Sequence, residues 1–131
     1  SLLGRDEARV TEGRQQRDFM HVRDVADALV TLLFSRVGGA VNIATGEPVT
    51  VRDLVASIGR ELQAEDRIRY GALPMRTDEP ELIAGDATRL RRELQWTPHF
   101  DLAAGLRDTI EWWKRRAGEP TGQDRKYPAC D

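Results

Sequence analysis

Over two stretches, apolar residues recur every three or four positions, the single-face pattern of an amphipathic helix. In the first, Val22, Val25, Ala26, Leu29, Leu32 and Leu33 share one side, and Gly38-Gly39 closes the segment. Asp24, near its start, is placed to cap free backbone N–H groups and to complement the positive end of the helix dipole. In the second, Val51, Leu54, Val55, Ile58 and Leu62 follow Thr50. Thr50 and Asp53 have capping-box spacing, with Asp in place of the usual Glu or Gln. Two further helices are predicted. One runs from an Asp86 N-cap to about Leu94 and is broken by Trp96-Thr97-Pro98. The last is capped by Asp101 and turns Leu102, Leu106, Ile110 and Trp113 inward.

Between the helices the pattern shortens. Residues 8–13 predict a strand ending in a Gly turn, and Arg17 to Val22 reads as extended chain leading into the first helix. Ala40-Val41-Asn42-Ile43-Ala44 is β-prone and bounded by glycines, which predicts a buried strand, and Thr45-Gly46-Glu47-Pro48 is turn chemistry. Arg67 to Tyr70 and Glu81 to Gly85 predict two more short strands, with a proline-containing loop over Gly71 to Pro80 between them. The sum is an α/β domain, mostly helical, with short strands and little sheet of its own. Residues 1–116 read as that domain and residues 117–131, rich in Gly, Pro, Gln and charge, as a flexible polar tail.

Composition narrows the function classes. The 131 residues suffice for one compact domain, and 40% hydrophobic content excludes a low-complexity or wholly disordered chain. Twenty basic against 22 acidic residues give a formal charge of −2, which argues against general nucleic-acid or membrane-surface binding. No apolar run approaches the roughly 18 residues of a membrane span. A single cysteine, Cys130, allows no intrachain disulfide and fits a reducing, cytoplasmic setting. The bases are lopsided, with arginine at all but Lys114 and Lys126. Codon bias in a GC-rich genome accounts for that; the functional alternative is that one or two arginines grip phosphate with a planar fork. A start at Ser-Leu-Leu-Gly, with no initiating Met, reads as the middle of a longer chain.

The sequence holds no Gly-x-Gly-x-x-Gly turn, P-loop, Tyr-x-x-x-Lys pair or Gly-x-Ser-x-Gly elbow. His21 and His99 have no neighbouring Cys or His, so no metal site is expected. His21, between Met20 and Val22, is expected to pack rather than to catalyse. Of the tryptophans, Trp96, Trp112 and Trp113 are expected in packing roles. Adjacent Trp112 and Trp113 cannot face the same side of a helix, so at least one should be exposed or cover an interface.

One stretch is far more specific. Gln16-Arg17-Asp18-Phe19-Met20-His21-Val22-Arg23-Asp24-Val25-Ala26 closely resembles the Arg-Asp-Phe-x-(His/Tyr)-Val-x-Asp-Val-Ala signature of the extended short-chain dehydrogenase/reductases that act on nucleotide sugars. Further pieces follow in the family's order. Gly39 to Gly46 is similar to its Gly-x-x-(Tyr/Phe)-Asn-Ile-Gly-x-Gly strand and turn, and Val49 to Leu54 to its next helix start. Tyr70 to Pro80 is similar to a Gly-x-x-Pro-x-Arg-Pro-Gly-(Asp/Glu) loop. Asp86 to Arg89 and Leu94 to Pro98 resemble Asp-x-(Ser/Thr)-(Lys/Arg) and Leu-Gly-Trp-x-Pro. Leu102 to Trp113 resembles the closing Leu-x-x-Gly-Leu-x-x-Thr-(Ile/Val)-x-Trp. The resemblance covers residues 8–116. Three departures stand out: Thr77-Asp78 replaces Pro-Gly, Gln95 replaces a Gly before Trp96, and Ala44 replaces a Gly after Ile43. Gln95 is expected to strain or alter its turn.

The resemblance implies the C-terminal, substrate-binding portion of a Rossmann-type, NAD(P)-dependent nucleotide-sugar epimerase, dehydratase or 4-ketoreductase. NAD or NADP, and a Tyr-x-x-x-Lys pair that deprotonates a sugar hydroxyl as hydride passes to the nicotinamide, would belong to an N-terminal domain absent from this chain. The chain alone is therefore expected to be inactive, to partner that domain or another chain, and to self-associate through apolar surface left by the missing partner. By motif, Arg17 and Arg76 would hold the nucleotide-sugar diphosphate, because a guanidinium makes two charge-assisted hydrogen bonds to neighbouring oxygens where Lys gives charge without the fork. For Arg17 the alternative is an ion pair with Asp18 or Asp24. Glu79 stands where an acid accepts the ribose hydroxyls; the alternative is a solvated loop carboxylate. Asn42 would touch substrate or orient a loop, against simply satisfying backbone groups. A different class of function stays open, a non-catalytic nucleotide-sugar-binding or protein-interaction module.

Overall fold

The computed structural model describes residues 2–4 and 6–118. Four helices, α1 (Val22–Leu33), α2 (Val51–Leu62), α3 (Thr88–Glu93) and α4 (Leu102–Gly118), stand where the apolar periodicity places them. Five strands, each two residues long, are β1 (Ala8–Arg9), β2 (Gln16–Arg17), β3 (Val49–Thr50), β4 (Ile68–Arg69) and β5 (Leu82–Ile83). Helix α4 runs two residues past Arg116. The tail expected over 117–131 therefore begins inside a helix, and its residues 119–131 lie outside the described residues.

The strands make two small sheets. β1 pairs in parallel with β4, Ala8 opposite Ile68. β2 is the centre of the other, antiparallel to β3 (Arg17 opposite Val49) and parallel to β5 (Arg17 opposite Ile83). Arg17 thus sits on a central strand whose two neighbours fix its direction. The expected strand over Ala40–Ala44 has no ladder partner among the described residues. Side chains hold its surroundings instead: Arg89 donates to the Gly38 and Ala40 carbonyls at 3.0 and 2.7 Å, and Arg91 to the Thr45 carbonyl at 2.5 Å.

Local chemistry explains the helix starts. The Thr50 hydroxyl accepts the Asp53 N–H at 3.0 Å, the N-cap half of the box read from the sequence; the Asp53 carboxylate accepts the same hydroxyl at 2.6 Å instead of the Thr50 backbone N–H. Asp101 accepts the Ala104 N–H at 2.7 Å at the start of α4. Two expected caps are corrected. Asp86 lies one residue before the α3 N-cap position, Ala87, and accepts the Thr88 N–H at 2.9 Å from there. Asp24 does not cap α1, which begins after His21 with no side-chain cap. Its buried carboxylate accepts the N–H groups of His99 and Phe100 at 3.0 and 3.1 Å, tying α1 to the segment before α4.

Ala28, Leu90 and Trp96 form the fully closed core, flanked by Met20, Val41, Ile43 and Leu94. The Trp96 indole N–H donates to Asp27 at 2.7 Å, so its polar edge is satisfied as its ring packs. The inner face expected for α1 is only half right. Asp24 and Ala28 point into the fold, whereas Val22, Leu29, Val30 and Leu33 are between 52% and 75% exposed. These four residues share one side at helical spacing, so α1 is apolar around a broad arc of which the described fold covers one flank. Trp113, also expected inside, is 51% exposed, and Trp112 meets it edge-on at 4.9 Å. Ile110 holds the inner position of α4 as expected. His21 packs as expected, its ring 4.1 Å from Phe100, with Nε2 3.3 Å from Asp108 of α4.

Candidate functional site

β2, the turn after Ile43 and the end of β5 converge on a cavity of about 410 Å³, lined by Arg17, Asp18, Asn42, Ala44, Gly85 and Asp86 among others. Asp18 holds the three segments together. Its Oδ1 accepts the Thr45 hydroxyl and, at 3.1 Å, the Thr45 N–H. Its Oδ2 accepts the Gly46 N–H at 2.8 Å and the Gly85 N–H at 3.4 Å. Burial alone would push the Asp18 carboxyl up, but the Thr45 hydroxyl and the N–H groups of Gly46, Thr45 and Gly85 together hold it below its ordinary value. Gly46 turns the chain at φ +73°, which a glycine adopts without a Cβ penalty. Gly85 serves by close approach, since a Cβ there would run into the Ala44 methyl.

Asp18 is the site residue that motif reading missed as a site builder. Its signal was present, a carboxylate beside Arg17 in the most specific stretch of the chain. Spacing alone could not show that it faces a turn 27 positions ahead and a strand end 67 positions ahead.

The four sequence-predicted ligand residues divide. Arg17 lines the cavity, and its Nη2 donates to Glu79 Oε1 at 2.7 Å while Nη1 donates to the Gln16 carbonyl at 2.7 Å. The acid on Arg17 is therefore Glu79 and not Asp18 or Asp24. Asn42 also lines the cavity and donates to the Asp86 carbonyl at 3.3 Å. Arg76 stands apart on the exposed 71–80 loop, paired with Asp78 at 3.3 Å. The structure thus places Arg17 and Asn42 in the cavity lining; Glu79 joins them only through its pair with Arg17, and neither Glu79 nor Arg76 is itself a lining residue.

A second cavity, about 450 Å³, lies between the start of α1, α2 and α4 and is lined by Phe19, His21, Leu54, Phe100, Leu102 and Leu106 among others. Its charged lining residues include the acids Glu47 and Asp101 and no Arg or Lys. Size favours this cavity, but an anion has no cation to meet there, so the smaller one fits a phosphate better.

A family model described as GDP-mannose 4,6 dehydratase matches residues 2–109. The chain belongs to the extended short-chain dehydrogenase/reductase family of nucleotide-sugar epimerases and dehydratases. It is 34% identical over 116 residues to a UDP-glucose 4-epimerase of Azospirillum brasilense, covering 86% of this chain and 33% of that enzyme. Its fold superposes on the UDP-glucose 4-epimerase of Thermotoga maritima, solved with UDP-glucose, with a TM-score of 0.80 at 25% identity, covering 88% of this chain and 37% of that one. It also superposes on the dTDP-glucose 4,6-dehydratase of Bacillus anthracis, solved with NAD, with a TM-score of 0.75 at 25% identity over 86% and 36% of the two chains. The chain therefore spans about a third of the length of these relatives. No described helix is long and apolar enough to cross a membrane, and among the described residues no cluster of three or more His, Cys, Asp or Glu is placed to hold a metal.

Proposed function

We propose that this chain is the nucleotide-sugar-holding part of an NAD(P)-dependent epimerase, dehydratase or 4-ketoreductase. The observation that carries the reading is Arg17, a partly shielded guanidinium on the wall of a cavity, flanked by Asn42 and by the backbone turn that Asp18 organises. A diphosphate carries about two negative charges, and a planar fork on a rigid strand meets two of its oxygens at little entropic cost. Arg76 would have to leave Asp78 and move in from its exposed loop, and Glu79 would take the ribose hydroxyls once it leaves Arg17. Holding the nucleotide here fixes the sugar at the reacting centre, so remote binding energy is spent on orientation.

The described residues offer the dinucleotide no cradle of their own, because none of the four helices starts from a glycine-rich turn. In this reading NAD or NADP, and the residues that move proton and hydride, belong to an N-terminal Rossmann domain outside these 131 residues, in the same protein or in another chain. The exposed flank of α1 and the unpaired 40–44 segment are the surfaces that such a domain would cover. In the same reading the protein is cytoplasmic, with self-association through that flank as the expected behaviour of the chain on its own.

Calorimetric titration of UDP- and TDP-sugars into the chain, with Arg17→Ala and Arg76→Ala beside it, tests the reading. Binding that is lost in both variants supports the pocket, together with no turnover of any nucleotide sugar by the chain alone. Absence of binding by the unsubstituted chain overturns it in favour of an interaction module.

A further inference from the structure

Arg17 reaches the cavity already engaged. Its Nη2 donates to Glu79 and its Nη1 to the Gln16 carbonyl, both at 2.7 Å. The Arg17 and Glu79 side chains are only 18% and 28% exposed, so water screens the pair weakly. The neighbouring pair, Arg76 with Asp78, is longer at 3.3 Å, and its side chains are 78% and 72% exposed, where ion pairs contribute little. The two arginines assigned to a diphosphate are thus held unequally, and the tightly held one lines the site.

We propose that Glu79 is a built-in competitor for the anion position at Arg17, so that it sets how strongly an anion must bind to enter the cavity. The inference rests on Arg17 being the phosphate ligand, as proposed above. Glu79 holds one of the five guanidinium N–H donors, and in this proposal a phosphoryl group takes that same Nη2 edge. Binding is then an exchange of one carboxylate for one phosphoryl oxygen. A singly charged anion gains little from such a swap. An anion with a second charge gains more, because Arg76 leaves a weak solvent-exposed pair to meet it.

The exchange also frees chain. The loop is tied at its start, where Leu73 N–H donates to the Val10 carbonyl, and at its end, where the Glu81 carbonyl accepts the Gln16 N–H. Between those points, among the described residues, the Arg17–Glu79 contact is the hydrogen bond joining the loop to the rest of the fold. Displacing Glu79 releases the stretch that carries Arg76. One residue thus both holds the guanidinium that lines the site and restrains the second ligand.

Inorganic pyrophosphate and UDP are the probes, titrated calorimetrically into the full chain and its Glu79→Gln, Glu81→Gln and Arg17→Ala variants. Glu79→Gln keeps the shape and removes the competing charge, and is expected to strengthen pyrophosphate binding about fivefold or more. Glu81→Gln removes the same charge two residues on, where no ion pair is made, and should leave affinity within about twofold. Equal strengthening by both variants would mean a general field effect and overturns the proposal. So would unchanged pyrophosphate affinity with weakened UDP binding in Glu79→Gln, which would make Glu79 a ribose acceptor only. Pyrophosphate binding that is as strong in Arg17→Ala as in the unsubstituted chain sinks the phosphate role of Arg17 itself, a separate failure. Matching circular dichroism and thermal midpoints confirm that the variants are compared as folded proteins.

Discussion

Asp18 and Thr45 are joined twice over: one carboxylate oxygen accepts both the hydroxyl and, at 3.1 Å, the backbone N–H of the threonine. With Gly46 and Gly85 on the other oxygen, this carboxylate replaces a sheet ladder that the 40–44 segment lacks. Asp18→Asn presents an N–H where an acceptor is needed, and should cost about 1–3 kcal/mol at neutral pH. The pH dependence has a definite sign. The folded state holds the Asp18 carboxyl below its ordinary value of 3.8. Its contribution is therefore fully present above that value and is lost as pH falls through it towards the lower folded value. Denaturant midpoints of the two proteins should differ at pH 7 and converge on acidification; a difference that stays constant down to strongly acid pH refutes the assignment.

Asp24 is buried and spans from α1 to the N–H groups of His99 and Phe100. Asp24→Ala leaves two part-buried donors, the N–H groups of His99 and Phe100, unpaired and removes a fully buried side chain. The expected loss is about 3 kcal/mol, well above that of an ordinary surface change. Urea unfolding followed by the fluorescence of Trp96 measures it, and a loss under about 1 kcal/mol would show that water replaces the carboxylate at no real cost.

Much of this was legible in the sequence, for identifiable reasons. The Thr50–Asp53 box and the Asp101 cap were readable because a capping group acts on a donor only three residues away. The role of Asp24 was not, because its partners lie 75 and 76 positions on and proximity to a helix start suggested a cap. The α1 face misled for another reason. Periodicity reports that a face is apolar and not what covers it, and here Leu29 and Leu33 face away from the described fold. At the site, motif order picked out Arg17 and Asn42, which share a cavity wall, and Glu79, but could not show that Arg17 and Glu79 bind each other. Glu79 and Arg76 share the 71–80 loop and both lie outside the cavity lining, Glu79 turned to Arg17 and Arg76 paired with Asp78 in solvent.

Gln95 adopts φ +52°, a left-handed conformation that a side chain resists. The sequence departure expected to strain this turn sits at a strained position, directly before the buried Trp96. Gln95→Gly removes the Cβ clash but adds unfolded-state freedom, so the net gain should be about 0.5–1 kcal/mol. Thermal unfolding should show a midpoint a few degrees higher, while Gln95→Ala should show no such rise. A glycine variant that melts lower than the parent would mean that the Gln95 side chain supplies a contact worth more than the strain.

The exposed flank of α1 yields the last prediction. Val22, Leu29, Val30 and Leu33 lie on one side, followed by Phe34 at 83% exposure. A contiguous apolar stripe of this kind on a small protein marks a surface that meets something. Because these side chains bury little within the chain, Leu29→Glu with Leu33→Glu should shift its own stability by no more than about 0.5 kcal/mol. A covering partner would bury each leucine at about 1.5–3 kcal/mol, so the same pair should cost the assembled protein several kcal/mol. Sedimentation should therefore show the parent chain self-associating and the double variant monomeric, with equal thermal midpoints at low concentration. If the chain is joined to a Rossmann domain, as proposed, the double variant of that assembly should separate or unfold at lower denaturant. If it instead destabilises the isolated chain by several kcal/mol, the flank belongs to the chain's own core; if it leaves both association and assembly unchanged, the stripe is not an interface.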